Sequence, residues 1–433
     1  MEQGQVSKLA KQFKRMFAEP VLNALGKAVG FCKRERDITP YRLCLGLIEV
    51  FAAGKVEAIA DIHRAFNARC GTDVQYKPFH NQLAKAQFPE FMRTMCARSL
   101  EQLACEALRF TENSPFARFE RIELQDGTSF AVKSTLRELF PGRFKKVSPA
   151  AVELHVTLEL LSEQASSIVL TPDTDSEAQY LPDPASLAGC LAMGDRGYFK
   201  KEYLRDVAHH GGYFIIKGKA SMNPKIVFAA SEDGVERKSW CNKGLRDIKP
   251  KLLKRQRMDM DVEWHFKDGA FRCRLVVSWN PQTKEYQYLL TNLSRAEFSI
   301  AHIVDGYRLR WQIELLFKEW KSHANLHAFD TSNPHIAEGL IWASLCAAIL
   351  KRYCAHIAQR FAHLPISTQK VAKCIPYVLR DIFHALMHCP RQLNKVIMLA
   401  LEYLSKNAQR AHPKRDVLSG RSKLGLVPVY EAA

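Results

Sequence analysis

Near residue 115 the hydrophobic period of this chain changes from helical to alternating, and that switch constrains the fold more than any other feature. Through residues 1–112 apolar side chains recur at helical spacing, as in Leu43, Leu47, Ile48 and Phe51, and again in Phe91, Met95, Leu100 and Leu103. Phe119 to Asp126 then alternates briefly and ends on an acid. Ala151 to Leu161 alternates cleanly, with Val152, Leu154, Val156, Leu158 and Leu160 on one side and Glu153, His155, Thr157 and Glu159 on the other. That pattern predicts a half-buried strand, and Ser167 to Leu170 reads as a third strand. Three strands on short connections, with helices following later, predict an α/β sheet that starts antiparallel rather than a TIM barrel.

Composition narrows the function. Of 433 residues, 47% are hydrophobic and 25% charged, which excludes a mainly disordered or fibrous chain and suggests two to four folding units. Sixty-three Lys and Arg against 45 Asp and Glu leave a net charge of +18, which favours a polyanionic partner. The longest nearly apolar run, Leu340 to Leu350, falls short of the roughly 18 residues a spanning helix needs. The segment Met1 to Phe17 lacks the apolar block of a signal peptide, and the 12 cysteines form no CxxC pair. These features predict a cytoplasmic protein with reduced thiols, no membrane span, and nucleic acid as its partner.

Three segments fit that partner. Val56 to Phe66, a turn at Gly71-Thr72-Asp73 and Lys77 to Lys85 read as helix, turn, helix, which is either a DNA-reading pair or an ordinary helix pair of a bundle. Residues 205–292 are strand-rich, with candidates at Tyr213 to Ile216, Cys273 to Trp279 and Gln287 to Leu290. Within them, Arg237 to Arg257 holds nine basic residues, Lys254, Arg255 and Arg257 among them, and Asp247 as the only acid. One-signed runs of this kind favour phosphate contact over a plain solvated face. Lys406 to Lys423 is a basic tail broken by Pro413 and Gly420, expected to be mobile and to add nonspecific DNA affinity.

Chemistry concentrates between Ile303 and His323, which read as one long helix. On such a helix Tyr307, Arg310, Glu314 and Lys321 fall within an arc of about 60°, with Leu309, Ile313, Leu316 and Trp320 roughly opposite. A carboxylate between two cations is either an intrahelical ion pair or a metal-binding acid beside phosphate-binding cations. Two further acids follow short apolar runs, at Asp126-Gly127-Thr128 and Asp195-Arg196-Gly197-Tyr198. An Asp ahead of a Gly at a strand end is commonly a turn residue. Three carboxylates converging from two strands and a helix would instead hold two divalent ions for phosphoryl transfer, and oxygen ligands select Mg²⁺ or Mn²⁺ over zinc.

The spacing Tyr307-x2-Arg310-x3-Glu314-x6-Lys321 resembles the Y-(2)-R-(3)-E-(6)-K signature of IS4-family bacterial insertion-sequence transposases. The stretches at Asp126 and Asp195 are similar to that family's other two acidic motifs. The resemblance implies a DNA transposase with a DDE triad of Asp126, Asp195 and Glu314 on an RNase H-like core. It implies Mg²⁺-dependent cut-and-paste transposition with a hairpin at the element end, double-stranded DNA as substrate, and a homodimer that brings two ends together. It also accounts for the 119 positions between Asp195 and Glu314, because the family carries a mostly β insertion there.

The expected organisation is therefore a helical DNA-binding domain at 1–112, a first core segment at 113–204 and a β-rich basic insertion at 205–292. A second core segment follows at 293–365, and a C-terminal helical region with a basic tail at 366–433. Tyr307, Arg310 and Lys321 are expected to grip DNA phosphates, Arg196 to lie in the DNA site, and Lys217 to add a phosphate contact from a strand. The flipped base of the hairpin step stacks on a Trp in relatives. Here Gln287 and Tyr288 stand near that position, so the chain departs from the Trp of relatives. Tyr288, Tyr286 and Trp279 are the candidates to substitute, and each also reads as an aromatic packed on its strand.

His384 and His388 beside Cys389, and the pair His323 and His327, lack full ligand sets and read as ordinary helix positions. With no GxxxxGK[ST] loop, ATP is not expected. The alternatives to a transposase are a DDE nuclease without strand transfer and a non-catalytic DNA-binding regulator.

Overall fold

The structure is a computed structural model that describes residues 2–411 and 421–430, apart from 35, 55, 327 and 328. His327 and the tail residues Pro413 and Gly420 lie outside the described residues.

The helical period of the first hundred residues produces six helices: α1 (Glu2–Met16), α2 (Glu19–Ala28), α3 (Pro40–Ala53), α4 (Ile59–Cys70), α5 (Tyr76–Leu83) and α6 (Phe88–Gln102). Pro40 opens α3 at its first position, and the Thr39 side chain accepts from the Arg42 amide at 3.1 Å, supplying the cap that the first turn needs. Gly71, in the left-handed region at φ 61°, stops α4 and turns the chain toward α5. A short strand β1 (Leu108–Phe110) follows.

The central sheet is built from β2 (Ile122–Ala131), β3 (Ala151–Glu159), β4 (Gln164–Pro172), β5 (Leu191–Gly194) and, after α7 (Lys201–His209), β6 (Tyr213–Lys217). Their spatial order is β4-β3-β2-β5-β6, with β3 antiparallel to both neighbours and β5 parallel to β2 and β6. This is the RNase H-like order that the resemblance implies, and it includes the antiparallel start. Four more strands extend the same sheet: β7 (Lys225–Ser231) and, beyond the short α8 (Leu245–Ile248), β8 (Met258–Phe266), β9 (Gly269–Asn280) and β10 (Glu285–Thr291). They form an antiparallel meander whose last strand returns to pair with β6. Strand β6, counted with the 205–292 segment in the sequence, therefore stands at the seam, bonded to β5 on one side and β10 on the other. Strands β7 and β8 pair with a register shift between Ile226 and Phe228, and they carry no clean alternation because their exposed positions are few.

Helices α9 (Ile300–Arg308), α10 (Trp311–His323) and α11 (Pro334–Ala362) lead to α12 (Thr368–Cys374), α13 (Leu379–His388), α14 (Leu393–Asn407) and a final strand β11 (Leu426–Pro428). The 29-residue α11 is long and apolar enough to cross a membrane by length and composition, yet its apolar stretch is wholly buried inside the fold. It is the axis of the helical layer: α1, α3, α6, α12 and α14 all pack on it. The N- and C-terminal helical parts thus share one core with the face of the sheet that carries Leu124, Val156 and Met193.

Three expectations change. The stretch from Ile303 to His323 is two helices, because Leu309, Arg310, Gln312 and Ile313 each bond the carbonyl three residues back rather than four. Strand β3 is buried on both faces rather than half-buried; on its polar face Tyr180 stacks on His155 with ring centres 4.2 Å apart, and the Arg143 guanidinium lies 3.4 Å from Glu153. Part of the basic tail is anchored: Arg421 pairs with the buried Glu163 at 3.3 Å, and β11 pairs with β1.

Candidate active site

Strand register explains why two acids 69 positions apart become neighbours. The parallel pairing of β2 with β5 ends at Gln125 opposite Gly194, so the next residue on each strand, Asp126 and Asp195, emerges at the same level. Asp126 continues the side-chain parity of Ile122 and Leu124, and Asp195 that of Leu191 and Met193. Both acids therefore face α10, which buries Ile313, Leu316 and Trp320 against the sheet and presents Glu314 beside them. The strand-end placement expected for Asp195 holds. Asp126 instead lies mid-strand, because β2 runs on to Ala131, and it is not a turn residue.

Arg310 ties the acids together from the tightened turn between α9 and α10. Its guanidinium donates to Asp126 Oδ2 at 2.7 Å and to Glu314 Oε1 at 2.6 Å. Tyr307 donates its hydroxyl to Asp195 Oδ1 at 3.4 Å, and the Lys217 ammonium lies 3.8 Å from the same oxygen. The Gly127 amide donates to Asp126 Oδ1 at 3.0 Å. Close approach of α9 depends on Gly306, whose Cβ would lie 2.7 Å from the Phe116 ring.

The electrostatics follow from burial. Loss of solvent pushes Asp126 up to about 6; Arg310 and the Gly127 amide oppose the rise, and the charges of Glu314 and Asp195 add to it. Burial also raises the Tyr307 phenol well above its ordinary range, so it is a donor at neutral pH. Side-chain exposure grows outward from Arg310 at 14% to Glu314 at 27% and Asp195 at 36%, so the cluster opens toward Asp195.

The donor set consists of three carboxylates, the hard-oxygen chemistry that suits Mg²⁺ or Mn²⁺. Among the described residues no group of three acids, histidines or cysteines stands close enough to hold an ion, and Arg310 bridges two of these carboxylates.

The other expected residues are spread around this centre. Arg196 is exposed directly after Asp195. Lys321 is exposed two turns beyond Glu314, about 10 Å along the helix axis, and lines a separate cavity with Lys351, Lys373 and His323. Lys254 and Arg255 are exposed, the former stacked 4.6 Å from the Trp279 ring centre, whereas Arg257 is paired with Glu232 at 3.0 Å. Tyr288 is buried at 7% exposure, with the Lys249 ammonium 5.3 Å from its ring centre. Its carbonyl accepts from Gly218, which places it beside Lys217.

Sequence reasoning missed the layer beneath the acids. A Cβ on Gly127 would meet a Glu153 oxygen at 2.7 Å, and one on Gly197 would meet the Glu177 carboxylate. Burial pushes Glu153 up to about 7, against the pull of Arg143. The paired glycines following Asp126 and Asp195 were the available signal: each leaves room for a carboxylate that no local pattern names.

Residues 118–350, more than half of the chain, match the family model described as a transposase DDE domain. The chain is 19% identical to the transposase for insertion sequence element IS231B of Bacillus thuringiensis subsp. berliner, over 95% of this chain and 93% of that one. It is 21% identical to the transposase for insertion sequence element IS1151 of Clostridium perfringens, over 72% and 73%. Among solved structures, the piggyBac transposase synaptic complex with hairpin DNA is similar over 95% of this chain and 84% of that chain, with a TM-score of 0.43 and 10% identity.

Proposed function

The chain belongs to the transposase DDE domain family, and from that premise we propose that it carries out Mg²⁺-dependent cut-and-paste transposition of an insertion sequence. The observation that carries this reading is the convergence of Asp126, Asp195 and Glu314 from two adjacent parallel strands and a helix. These three carboxylates would hold the divalent ions. When bound, two such ions activate an attacking oxygen and stabilise the leaving oxygen of an in-line phosphoryl transfer.

The chain's own residues do the rest. Arg310 holds Asp126 and Glu314 side by side against their mutual repulsion, and its planar fork suits a bidentate grip on a phosphate. Tyr307 orients Asp195 through its hydroxyl. Lys217 and Arg196 supply positive charge on the open side, where a DNA backbone would lie, and Lys321 would meet the flanking backbone two turns farther along α10. Lys254 and Arg255 extend that charge onto the strand-rich part, and α4 and α5 would read the element's terminal repeats.

In this reading the excised end closes as a hairpin and reopens before strand transfer, and two copies of the chain pair the two ends. The half-exposed Trp279, 4.9 Å from Tyr286 and beside Lys254, is the aromatic best placed to take a displaced base. The family membership and the basic net charge support DNA as substrate.

The test is Mg²⁺-dependent cleavage of DNA bearing the host element's terminal repeats, comparing the intact chain with Glu314→Gln. Nicked and excised ends from the first, with binding but no cutting from the second, are expected. Equal cutting by both would remove Glu314 from the metal site, and ends that are cut but never joined would mark a nuclease instead.

A further inference from the structure

The connection between β2 and β3, residues 132–150, carries a surface that the mechanism above leaves unused. Leu139, Phe144 and Val147 are 50%, 67% and 89% exposed. Arg143, Lys145 and Lys146 surround the last two and are exposed as well. Arg137 adds a further positive charge, and Glu138 is the only acid in the loop. A large aromatic ring in water forgoes the favourable free energy that burial would bring.

The loop is nevertheless held in one shape. The amides of Val147 and Ser148 both donate to the Phe144 carbonyl, at 3.0 and 2.8 Å, closing a tight turn at the tip. At its neck Gly142 donates to Pro149 at 3.0 Å, and a Cβ there would lie 1.9 Å from the Ser148 carbonyl oxygen, so only glycine permits the approach. The Arg143 amide donates to Asp173 Oδ2 at 3.0 Å, and its guanidinium donates to the Asp173 carbonyl at 2.9 and 3.2 Å. Farther back, Lys133 pairs with Asp330 at 2.6 Å, and Thr135 bonds Ser332 at 3.1 Å. Phe144 and Val147 are thus presented outward by a preorganised frame.

Its position points to an occupant. Strand β2 continues to Ala131, well past its last pairing with β5 at Gln125, so the β2–β3 arm projects beyond Asp126 and Asp195. The neck residue Arg143 also lies 3.4 Å from Glu153, the side chain seated against Gly127. An apolar tip ringed by cations, one side chain removed from the residue after a catalytic acid, matches a DNA duplex in both charge and chemistry. We propose that Phe144 and Val147 form a wedge that enters the duplex at the step being cut and partly unstacks it, while Lys145, Lys146 and Arg137 hold the flanking phosphates. The proposal rests on the DNA-cleaving reading for its location, although its test does not need cleavage.

Binding of the full chain is measured on two labelled duplexes of one sequence, fully paired and with a central mismatched step. A wedge binds the already loosened duplex more tightly, by roughly tenfold. The double variant Phe144→Ala, Val147→Ala is expected to bind the two duplexes equally, losing that preference, while keeping its melting temperature, since both side chains are exposed. Phe144→Trp is expected to retain the preference. Lys145→Ala with Lys146→Ala should weaken both duplexes alike and lower the salt slope by about 2. An unchanged preference in the double variant, or none in the unaltered chain, overturns the wedge. A change in self-association with DNA preference unmoved overturns it too, and assigns the patch to a protein contact. Neither cleavage nor the terminal repeat enters these measurements, so failure of the transposase reading would be seen separately.

Discussion

Arg310 donates one guanidinium nitrogen to Asp126 at 2.7 Å and the other to Glu314 at 2.6 Å, bridging an acid on a strand and an acid on a helix 188 positions apart. The same geometry gives a sharper expectation for Arg310 than a surface phosphate contact would. Arg310→Ala leaves two part-buried carboxylates facing each other and removes the phosphate fork. End cleavage should fall by about 10²-fold, the loss typical of removing one preorganised donor. Arg310→Lys should recover little, because an ammonium cannot span both acids. Single-turnover cleavage rates check this; a rate within twofold of the intact chain for Arg310→Ala would remove the residue from the chemistry.

Acid should destabilise the fold through His356. Burial, with Arg352, Arg360 and Arg410 around it, pushes His356 down to about 4, against the pull of Glu163. The unfolded chain, with an ordinary value of 6.5, therefore binds more protons between pH 6.5 and 4. The stability that this group contributes is complete above pH 6.5 and is lost as pH falls toward 4. Glu163 is itself held down to about 2: burial alone would raise it, but Arg421 and Arg352 outweigh that. Its contribution is present above 4.5 and disappears below. Asp126 and Glu153, raised by burial, act in the opposite sense over the same range, so the His356 share is read as a difference. Between pH 7.5 and 4.5 the melting temperature of His356→Gln should fall by less, or rise by more, than that of the intact chain.

Asn325 should act as a clamp between the N-terminal helices and the end of α10. Its amide donates to the carbonyls of Phe51 at 3.0 Å and Gly54 at 2.7 Å, and its oxygen accepts from the Val56 amide at 3.1 Å. The residue is left-handed, with φ 55°. Asn325→Ala loses the bonds and strains the backbone, at a cost of about 2–4 kcal/mol. Asn325→Gly loses the bonds but relieves the strain and should cost less. Equal denaturation midpoints for the two variants would argue that strain contributes nothing here.

The basic run at 237–257 should not act as one uniform patch. Lys254 and Arg255 are exposed, but Arg257 is engaged by Glu232, and Arg246 bonds the Ser221 carbonyl at 2.7 Å. Neutralising Lys254 and Arg255 together should reduce the salt slope of DNA binding by about 2, and adding Arg257→Ala should change it little further. Titrations over a range of salt concentrations decide this, and a slope that stays the same for the pair would leave the run a solvated face.

Much of this architecture is visible in residue order. The helical period of residues 1–112, the alternation of Ala151 to Leu161, and the Tyr307, Arg310, Glu314 spacing are local patterns, and local patterns report which face of an element meets the core. The RNase H-like order followed from the resemblance those motifs carry. What residue order did not reveal depends on partners far along the chain. The polar face of β3 looked solvent-facing, yet it is buried, with Tyr180 stacked on His155 and Arg143 beside Glu153. The tail looked free, yet Arg421 reaches Glu163 across 258 positions. The single helix expected through Arg310 breaks there, at the turn from which Arg310 reaches a strand acid and a helix acid together.

The residues alone determined which groups can do chemistry: two aspartates, a glutamate and the cations near them. Tertiary structure alone decided that they meet. Asp126 and Asp195 are level only because two parallel strands pair in one register, and Glu314 joins them only because α10 buries its apolar side against that sheet. Periodicity is a property of neighbours in sequence, whereas register and docking are set by the burial of surfaces that sequence holds far apart.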